Sequence, residues 1–236
     1  GGQFSADLEK RAKKAGASDC LIWDVKEEFA KDFILPSLLA GAIYENEYLL
    51  ATSIGRPLMA KKLVEAAIEY DAKAVAHGCT GKGNDQVRFD TAIKTLSSDS
   101  PLEIIAPARE ASLTRDEEKE YAKKLDIKLP GVGERVYSID RNLWGLAIEG
   151  EDLEDPWIEP PEDAYMITSS LEDAPKKPKY IEISFNKGTP VKLNGKKLGL
   201  VNLIEELNDI AGLCGVGRTI HVENRLVGIK SRETYE

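Results

Sequence analysis

Residues 77–89 read HGCTGKGNDQVRF and join a short apolar run at 74–76 to a segment, 85–96, whose apolar side chains recur at helical spacing. The order strand, glycine-rich loop and helix directs backbone N–H groups and a helix N-terminus at an anion. Gly78, Gly81 and Gly83 let the backbone approach a ligand closely. The run therefore predicts an α/β fold with a parallel sheet and a ligand site at the loop.

The polar side chains of this run narrow the ligand class. Its order matches neither G-x-x-x-x-G-K-[ST] nor G-x-G-x-x-G. One interpretation is a polar loop whose glycines serve only to turn the chain. The density of polar side chains favours an anionic or zwitterionic ligand instead; these side chains are Thr80, Lys82, Asn84, Asp85 and Arg88.

Composition excludes several classes of protein. The 236 residues, 42% hydrophobic and 31% charged, fit one large or two modest soluble globular domains. A net charge of −9 argues against nucleic acid as a partner. Three scattered cysteines, two histidines and no C-x-x-C predict neither a disulfide framework nor a protein-held metal site. No long apolar run or leader is visible, so we predict no membrane partner and a cytoplasmic location.

The order of segments predicts two domains. Strands expected at 20–23, 74–76 and 102–106 alternate with helices at 24–39, 58–70 and 85–96, which is typical of a doubly wound parallel sheet. Pro57 is expected at the start of the second of these helices. After the LPGVG segment at 129–133, an Asn-Gly hairpin at 194–195, a helix at 200–213 and strands at 219–223 and 226–229 indicate an α+β domain. We therefore divide the chain into domains 1–128 and 129–236.

A polar and aromatic cluster at 137–144 lies at the predicted domain boundary, and clefts between domains favour ligands. Two further polar clusters, at 222–225 and 230–235, lie beside short predicted strands. Taken singly, each cluster is better explained as a solvated strand end or loop than as a ligand site. His77 is either a base or a buried histidine bonded to backbone, and we favour the second interpretation. Cys79 has no histidine at a set spacing to activate it, so a cysteine enzyme is rejected.

A family resemblance connects these segments. The chain also contains TSIGRPLMAKK at 52–62, IIAPAREASLTRDEEKEYA at 104–122, YSIDRNLWG at 137–145, LEDPW at 153–157, LNGKKL at 193–198 and VENRLVGIKSRETYE at 222–236. In this order they resemble argininosuccinate synthase over essentially the whole chain. The resemblance implies an adenine nucleotide alpha-hydrolase-like domain followed by a synthetase domain. It also implies ATP-dependent ligation of citrulline to aspartate through a citrullyl-adenylate, with Mg²⁺ on the nucleotide, in a homotetramer of the arginine biosynthesis pathway.

The resemblance also implies residue roles. Gly78 matches an ATP-binding position, and no catalytic acid or base is assigned. Arg56 lies in the same family segment and faces either phosphate or citrulline. The aspartate-binding positions are matched by Thr80, Asn84 and Asp85. The citrulline-binding positions are matched by Tyr48, Ser53, Asn84, Arg88, Ser138, Glu223 and Tyr235.

The chain departs from the family pattern at Ala147, where a second citrulline-contacting serine is usual, and at Glu233, where glycine is common. It begins after the family's pyrophosphate loop and ends before the rest of the synthetase domain, so we expect poor catalysis by this chain alone. Two alternatives to the ligase stay open. One is a module that only binds citrulline or aspartate, and the other is a ligase that adenylates a different acceptor.

Overall fold

The structure is a computed structural model that describes residues 5–81, 83–111, 115–125, 127, 137–224, 228 and 230–236. The chain divides into two compact units, residues 1–26 with 113–135, and residues 27–112 with 136–236. The predicted domain boundary at 128/129 falls outside the described residues, so it stays a prediction.

Helices dominate the first half of the chain, and short strands become frequent in the second. The α-helices in the described part of the chain are α1 (Ser5–Lys14), α2 (Lys26–Phe29), α3 (Leu35–Leu39), α4 (Ala51–Glu69), α5 (Asp85–Leu96), α6 (Pro107–Ala111), α7 (Arg115–Lys124) and α8 (Leu200–Leu213). A π-helical segment, Ala30–Ile34, joins α2 to α3, and 3-10 turns form at Glu151–Glu154 and Glu162–Ala164. The strands are β1 (Ala74–Ala76), β2 (Glu103–Ile105), β3 (Ser138–Arg141), β4 (Leu146–Glu149), β5 (Ile183–Asn186), β6 (Thr189–Leu193), β7 (Lys196–Lys197), β8 (Thr219–Asn224) and β9 (Lys230–Tyr235).

The smaller unit contains α1 and α7, and one predicted strand there is wrong. Residues 20–23 form no strand. Leu21, Ile22 and Trp23 are each more than 40% exposed. A short apolar run becomes a strand only where a neighbour completes its hydrogen bonds, and residues 20–23 have no such ladder.

The parallel sheet of the larger unit carries the glycine loop, defined as residues 77–84. β1 pairs in parallel with β2, in register from Ala74 with Glu103 to Ala76 with Ile105. α4 and α5 cover this pair, with a core formed by Ala60, Val64, Ala67, Val75, Phe89 and Ile93. The predicted strand at 74–76 and helix at 85–96 are confirmed, and the loop therefore leaves the carboxyl end of β1 and enters α5.

Helix α4 begins earlier than predicted. Pro57 lies inside it instead of at its start. Proline removes the N–H that would bond the Ser53 carbonyl four residues back. Contacts from elsewhere hold the first turn in place: the Asn142 amide donates to the Ala51 carbonyl at 2.7 Å, and Thr52 N–H donates to the Tyr48 hydroxyl at 2.9 Å. Tertiary contacts thus extend the helix across the proline.

An antiparallel sheet in the order β3-β4-β9-β8 forms the other half of the same unit. Ala147 on β4 pairs with Tyr235 on β9, and Asp140 on β3 pairs with Ala147. The partner of β8 is β9, whereas the strand expected at 226–229 falls mostly outside the described residues. The hairpin and the helix at 200–213 are confirmed; Asn194 and Gly195 adopt φ of 49° and 79°, the pattern of a type I′ turn.

Candidate ligand-binding site

A cavity of about 660 Å³ opens where α4, the glycine loop and the sheet β3-β4-β9 meet. Its size suits small ligands. One wall is the face of α4, one is the loop with the start of α5, and one is the sheet. The lining residues are Thr52, Ser53, Arg56, Met59, Leu63, Ala76, His77, Gly78, Cys79, Thr80, Gly83, Asn84, Asp85, Arg88, Phe89, Asp140, Ala147, Glu149, Glu233 and Tyr235.

The loop wall presents backbone donors. Among the described residues, no group accepts a hydrogen bond from the N–H of Gly78 or Thr80. A Cβ added at Gly78 would meet no atom within 4 Å, so this part of the backbone is open to the cavity. N–H groups at the end of a strand that have no acceptor within the described residues are suited to phosphate or carboxylate oxygens.

Opposite charges are paired across the cavity. Arg56 Nε lies 2.7 Å from Asp85 Oδ2, and its terminal nitrogen bonds Asp140. The Arg88 guanidinium lies 2.8 Å from the other oxygen of Asp85. Burial lowers the pKa of Arg56, but the two carboxylates outweigh this effect and raise it above its usual value. Both Asp85 oxygens are therefore held by guanidinium groups, and Arg56 links α5 to β3.

The sheet wall adds further carboxylates. Glu149 at the end of β4 and Glu233 on β9 line the cavity, and Glu233 is only 2% exposed. With Asp85 and Asp140 this gives four carboxylates against two guanidinium groups among the lining residues. The sheet side of the cavity therefore presents carboxylates, which can accept hydrogen bonds from an ammonium group.

Stacked aromatic rings support this wall. The Tyr48 and Tyr235 rings lie parallel, 3.8 Å apart, and His221 packs 5.7 Å from Tyr235. The Tyr48 hydroxyl lies 2.8 Å from Thr52 Oγ1, so it is bonded to α4. Tyr48 thus lies behind the lining, where it holds Tyr235 and Thr52 in place.

Two titratable groups of the loop are fixed by their surroundings. Burial raises the pKa of the Cys79 thiol, which makes a thiolate nucleophile less available and agrees with the rejection of a cysteine enzyme. His77 is buried and lies 2.9 Å from Asp90. Burial raises the pKa of Asp90, but hydrogen bonds from His77 and Arg109 outweigh it and lower the pKa below its usual value.

The cavity gathers most of the residues that the sequence singled out. Those that line it are Ser53, Gly78, Thr80, Asn84, Asp85, Arg88 and Tyr235. Ser138 is exposed at the start of β3 and is not among the lining residues. Glu223 pairs with Ser231 between β8 and β9, and its side chain falls outside the described part of the chain. Ala147 and Glu233, the two departures, both line the cavity.

Five lining residues lack an individual signal in the sequence or a definite predicted role. Asp140 stands out only as part of the polar cluster 137–144, Arg56 only as part of a family segment, and Thr52, Met59 and Glu149 not individually. One face of α4 is marked by helical spacing, at Thr52, Arg56, Met59 and Leu63. The prediction that the helix starts at Pro57 conceals this face, because it leaves Thr52 and Arg56 outside the helix. Glu149 is the last residue of β4, and no motif in the sequence marks it.

Comparison with known proteins settles the family. Residues 2–128 match the arginosuccinate synthase N-terminal HUP domain, and residues 137–236 match the arginosuccinate synthase C-terminal domain. The chain belongs to the argininosuccinate synthase family. Its fold is therefore the nucleotide-binding α/β HUP domain followed by the C-terminal domain of argininosuccinate synthase, as the sequence predicted.

Curated argininosuccinate synthases are similar over nearly the whole chain. Identity is 56% to the argininosuccinate synthase of Dictyoglomus turgidum, over 98% of this chain and 57% of that protein. It is 55% to that of Halalkalibacterium halodurans and 52% to that of Trichodesmium erythraeum, each over 97% of this chain. The chain thus spans a little more than half the length of these argininosuccinate synthases.

Two properties of the described residues complete the comparison. None of the helices they form is long and apolar enough to cross a membrane. Within the same ranges, no group of three or more His, Cys, Asp or Glu side chains could hold a metal ion.

Proposed function

We propose that this chain belongs to an ATP-dependent carbon–nitrogen ligase that joins citrulline to aspartate and forms argininosuccinate, AMP and pyrophosphate. The observation that carries the proposal is a single cavity in which open backbone donors of the glycine loop face paired arginine and aspartate side chains. Such a cavity suits a nucleotide beside two amino acids, and the curated relatives are argininosuccinate synthases. Mg²⁺ enters as part of the nucleotide substrate.

The charged and polar groups of the cavity walls indicate where each of the three ligands binds. The nucleotide belongs at the loop wall, where Gly78 and Thr80 offer N–H groups to phosphate oxygens. The carboxylates of the sheet wall suit ammonium groups better than phosphate, so the amino acids belong near α5 and β9. The Arg88 fork suits a carboxylate, and Asp85 suits an ammonium group. On binding, two ligands would replace the contact between Asp85 and Arg88: the ammonium group of aspartate would bind Asp85, and the carboxylate of citrulline would bind Arg88.

In this assignment Thr80, Asn84 and Asp85 bind aspartate. The citrulline-binding set consists of Tyr48, Ser53, Asn84, Arg88, Ser138, Glu223 and Tyr235. Tyr48 contributes by holding Tyr235. We also propose Arg56, which orients Asp85 through its link to Asp140.

The reaction needs positioning more than acid–base chemistry. The ureido oxygen of citrulline attacks the α-phosphorus of ATP, and pyrophosphate leaves. The aspartate amine then loses a proton and attacks the ureido carbon of citrullyl-adenylate, from which AMP leaves. The side chains of the cavity hold the reacting groups side by side and offset the charges that develop.

Three further proposals come from the family alone. We propose that the domains divide at 128/129, that the protein is a homotetramer and that it acts in the cytoplasm on arginine biosynthesis. The matched ranges 2–128 and 137–236 support the first of these.

The test is pyrophosphate release by the protein that contains this chain, with ATP, Mg²⁺ and aspartate, in the presence and absence of citrulline. We expect release only when citrulline is present. Release that ignores citrulline would favour a different acceptor, and amino-acid binding without any release would favour a binding module. The same assay on the 236-residue chain alone measures how much activity these residues retain.

A further inference from the structure

A ring of hydrogen bonds that includes the cavity-lining His77 stabilises the glycine loop. Asp90 on α5 contacts His77 Nε2 with one oxygen and Arg109 with the other, both at 2.9 Å. Arg109 also donates to Gln86 at 3.4 Å, and Gln86 donates to the Gly81 carbonyl at 2.7 Å. The ring therefore connects the first residue of the loop to its middle through α5 and α6.

His77 bonds the loop backbone directly. Cys79 N–H donates to His77 Nδ1 at 3.3 Å. Because Nδ1 accepts this bond it carries no proton, and the proton of the neutral ring must lie on Nε2, facing Asp90. The side chain of His77 is 4% exposed and its ring stacks on Phe89 at 5.4 Å, so water has little room to replace either partner.

We propose that His77, as the neutral Nε2–H tautomer, is the positioning residue of the glycine loop, and that Asp90 and Arg109 hold it in that tautomer. The proposal deepens the proposed function and rests on it for the identity of the ligand, the nucleotide. The hydrogen bond from Cys79 N–H to His77 holds the loop backbone on both sides of Cys79. The N–H groups of Gly78 and Thr80 then remain available to phosphate oxygens.

Two amide substitutions of His77 test the contacts of its two ring nitrogens separately. In His77→Asn the amide oxygen reaches the place of Nδ1, so the acceptor for Cys79 N–H is kept and the bond to Asp90 is lost. In His77→Gln the amide reaches the place of Nε2, so Asp90 keeps a partner and Cys79 N–H loses its acceptor. We expect the dissociation constant of ATP, measured by calorimetry, to stay within about threefold in His77→Asn and to rise at least about tenfold in His77→Gln.

Steady-state kinetics then separate positioning from loss of structure. In His77→Gln the KM for ATP should rise much more than kcat falls. Ser97→Ala is a matched control. Ser97 is buried at the end of α5, the helix that carries Asp90, and its hydroxyl donates to the Ile93 carbonyl at 2.8 Å, away from the loop. This control should lower the melting temperature and leave ATP binding unchanged. Equal losses of ATP affinity in the Asn and Gln variants, or a comparable loss in Ser97→Ala, would overturn the proposal.

Nitrogen NMR of histidine-labelled protein tests the tautomer without any ligand. This chain has two histidines, and the signals that vanish in His77→Asn belong to His77. We expect one protonated nitrogen, Nε2, and a bare Nδ1 with the far-downfield shift of an unprotonated ring nitrogen. A proton on Nδ1 would contradict the proposal. If the wild-type protein bound no ATP, the proposed function would fail, and the NMR result would still decide the tautomer.

Discussion

Gly78 is exposed beside the cavity, and a methyl group there would meet no atom within 4 Å. Gly78→Ala should therefore leave the free energy of unfolding unchanged or raise it by about 0.4–1 kcal/mol, because alanine restricts the unfolded chain. The added methyl group would occupy the space through which phosphate approaches the backbone. We expect ATP to bind at least about tenfold more weakly, a loss of about 1.4 kcal/mol, as measured by calorimetry.

Gly199→Ala is the matched control. Gly199 is also exposed, a Cβ there also meets nothing within 4 Å, and the residue precedes α8 outside the cavity lining. It should leave ATP affinity unchanged. Wild-type affinity in Gly78→Ala would show that the nucleotide does not approach the loop at this residue.

Arg56 joins two carboxylates that come from different elements, Asp85 on α5 and Asp140 on β3. Its side chain is 15% exposed, and its removal leaves Asp140 without this partner and Asp85 with Arg88 alone. Arg56→Gln should lower the free energy of unfolding by about 1–3 kcal/mol and raise the KM for aspartate, since Asp85 loses the group that orients it. Chemical denaturation and steady-state kinetics measure the two effects.

Lys196→Gln provides the comparison, because Lys196 and Glu206 form an exposed ion pair 3.4 Å apart. That change should cost less than about 0.5 kcal/mol and leave KM unchanged. An aspartate KM in Arg56→Gln equal to that of the wild type would show that Arg56 does not contribute to aspartate binding.

These two residues show what the sequence could predict at this scale. Gly78 was predictable, because the glycines and polar residues of the loop are neighbours in the chain. The role of Arg56 was not, because it depends on α4 beginning at Ala51. That start is fixed by Asn142, which is distant in sequence and donates to the Ala51 carbonyl.

At the scale of elements, Glu28 links α2 to α4 by ion pairs with Lys61 and Lys62. The Glu28 carboxylate lies 2.6 Å from Lys62 Nζ. Hydrogen bonds from the two lysines lower the pKa of Glu28 below the usual 4.5. A carboxyl group with a lowered pKa in the folded state stabilises the protein above its unfolded pKa. This stabilisation is lost as the pH falls from about 4.5 through the lower folded pKa.

Glu28→Gln should therefore lower the free energy of unfolding by about 1 kcal/mol at pH 7, and its difference from the wild type should shrink below pH 4.5. Urea denaturation at several pH values measures this. Asp71→Asn, which removes an ion pair whose side chains are 83% and 89% exposed, should cost less than about 0.5 kcal/mol. A Glu28→Gln difference that stays constant from pH 7 to pH 3 would contradict the assigned cause.

Elements were predictable where their signals are local. The apolar periodicity of 85–96 and 200–213 and the Asn194-Gly195 turn gave the right elements, because spacing and turn residues determine them. The strand expected at 20–23 failed because a strand also needs a partner, which its own residues do not reveal. The helix start predicted at Pro57 was wrong for a related reason, since tertiary contacts stabilise a helix turn that proline alone disfavours.

At the scale of the whole molecule, the cavity combines elements from both matched family regions. α4 and the glycine loop belong to the range 2–128, whereas β3, β4 and β9 belong to 137–236. A ligand that contacts both regions stabilises the folded state in which they meet. Citrulline at 100 times its dissociation constant should add about 2.7 kcal/mol to the free energy of unfolding of the protein that contains this chain.

Removal of the carboxylate-binding group should abolish this gain. Arg88→Ala takes the guanidinium from the cavity, so citrulline should no longer raise the melting temperature in a thermal shift assay. Arg141→Ala is the control, because Arg141 is exposed on β3 outside the cavity lining and should preserve the full shift. Hydrogen exchange adds a positional readout: citrulline should slow exchange at the start of α5 and along β9 together. Protection of only one of the two would mean that citrulline does not bridge them, and an undiminished thermal shift in Arg88→Ala would place the citrulline carboxylate elsewhere.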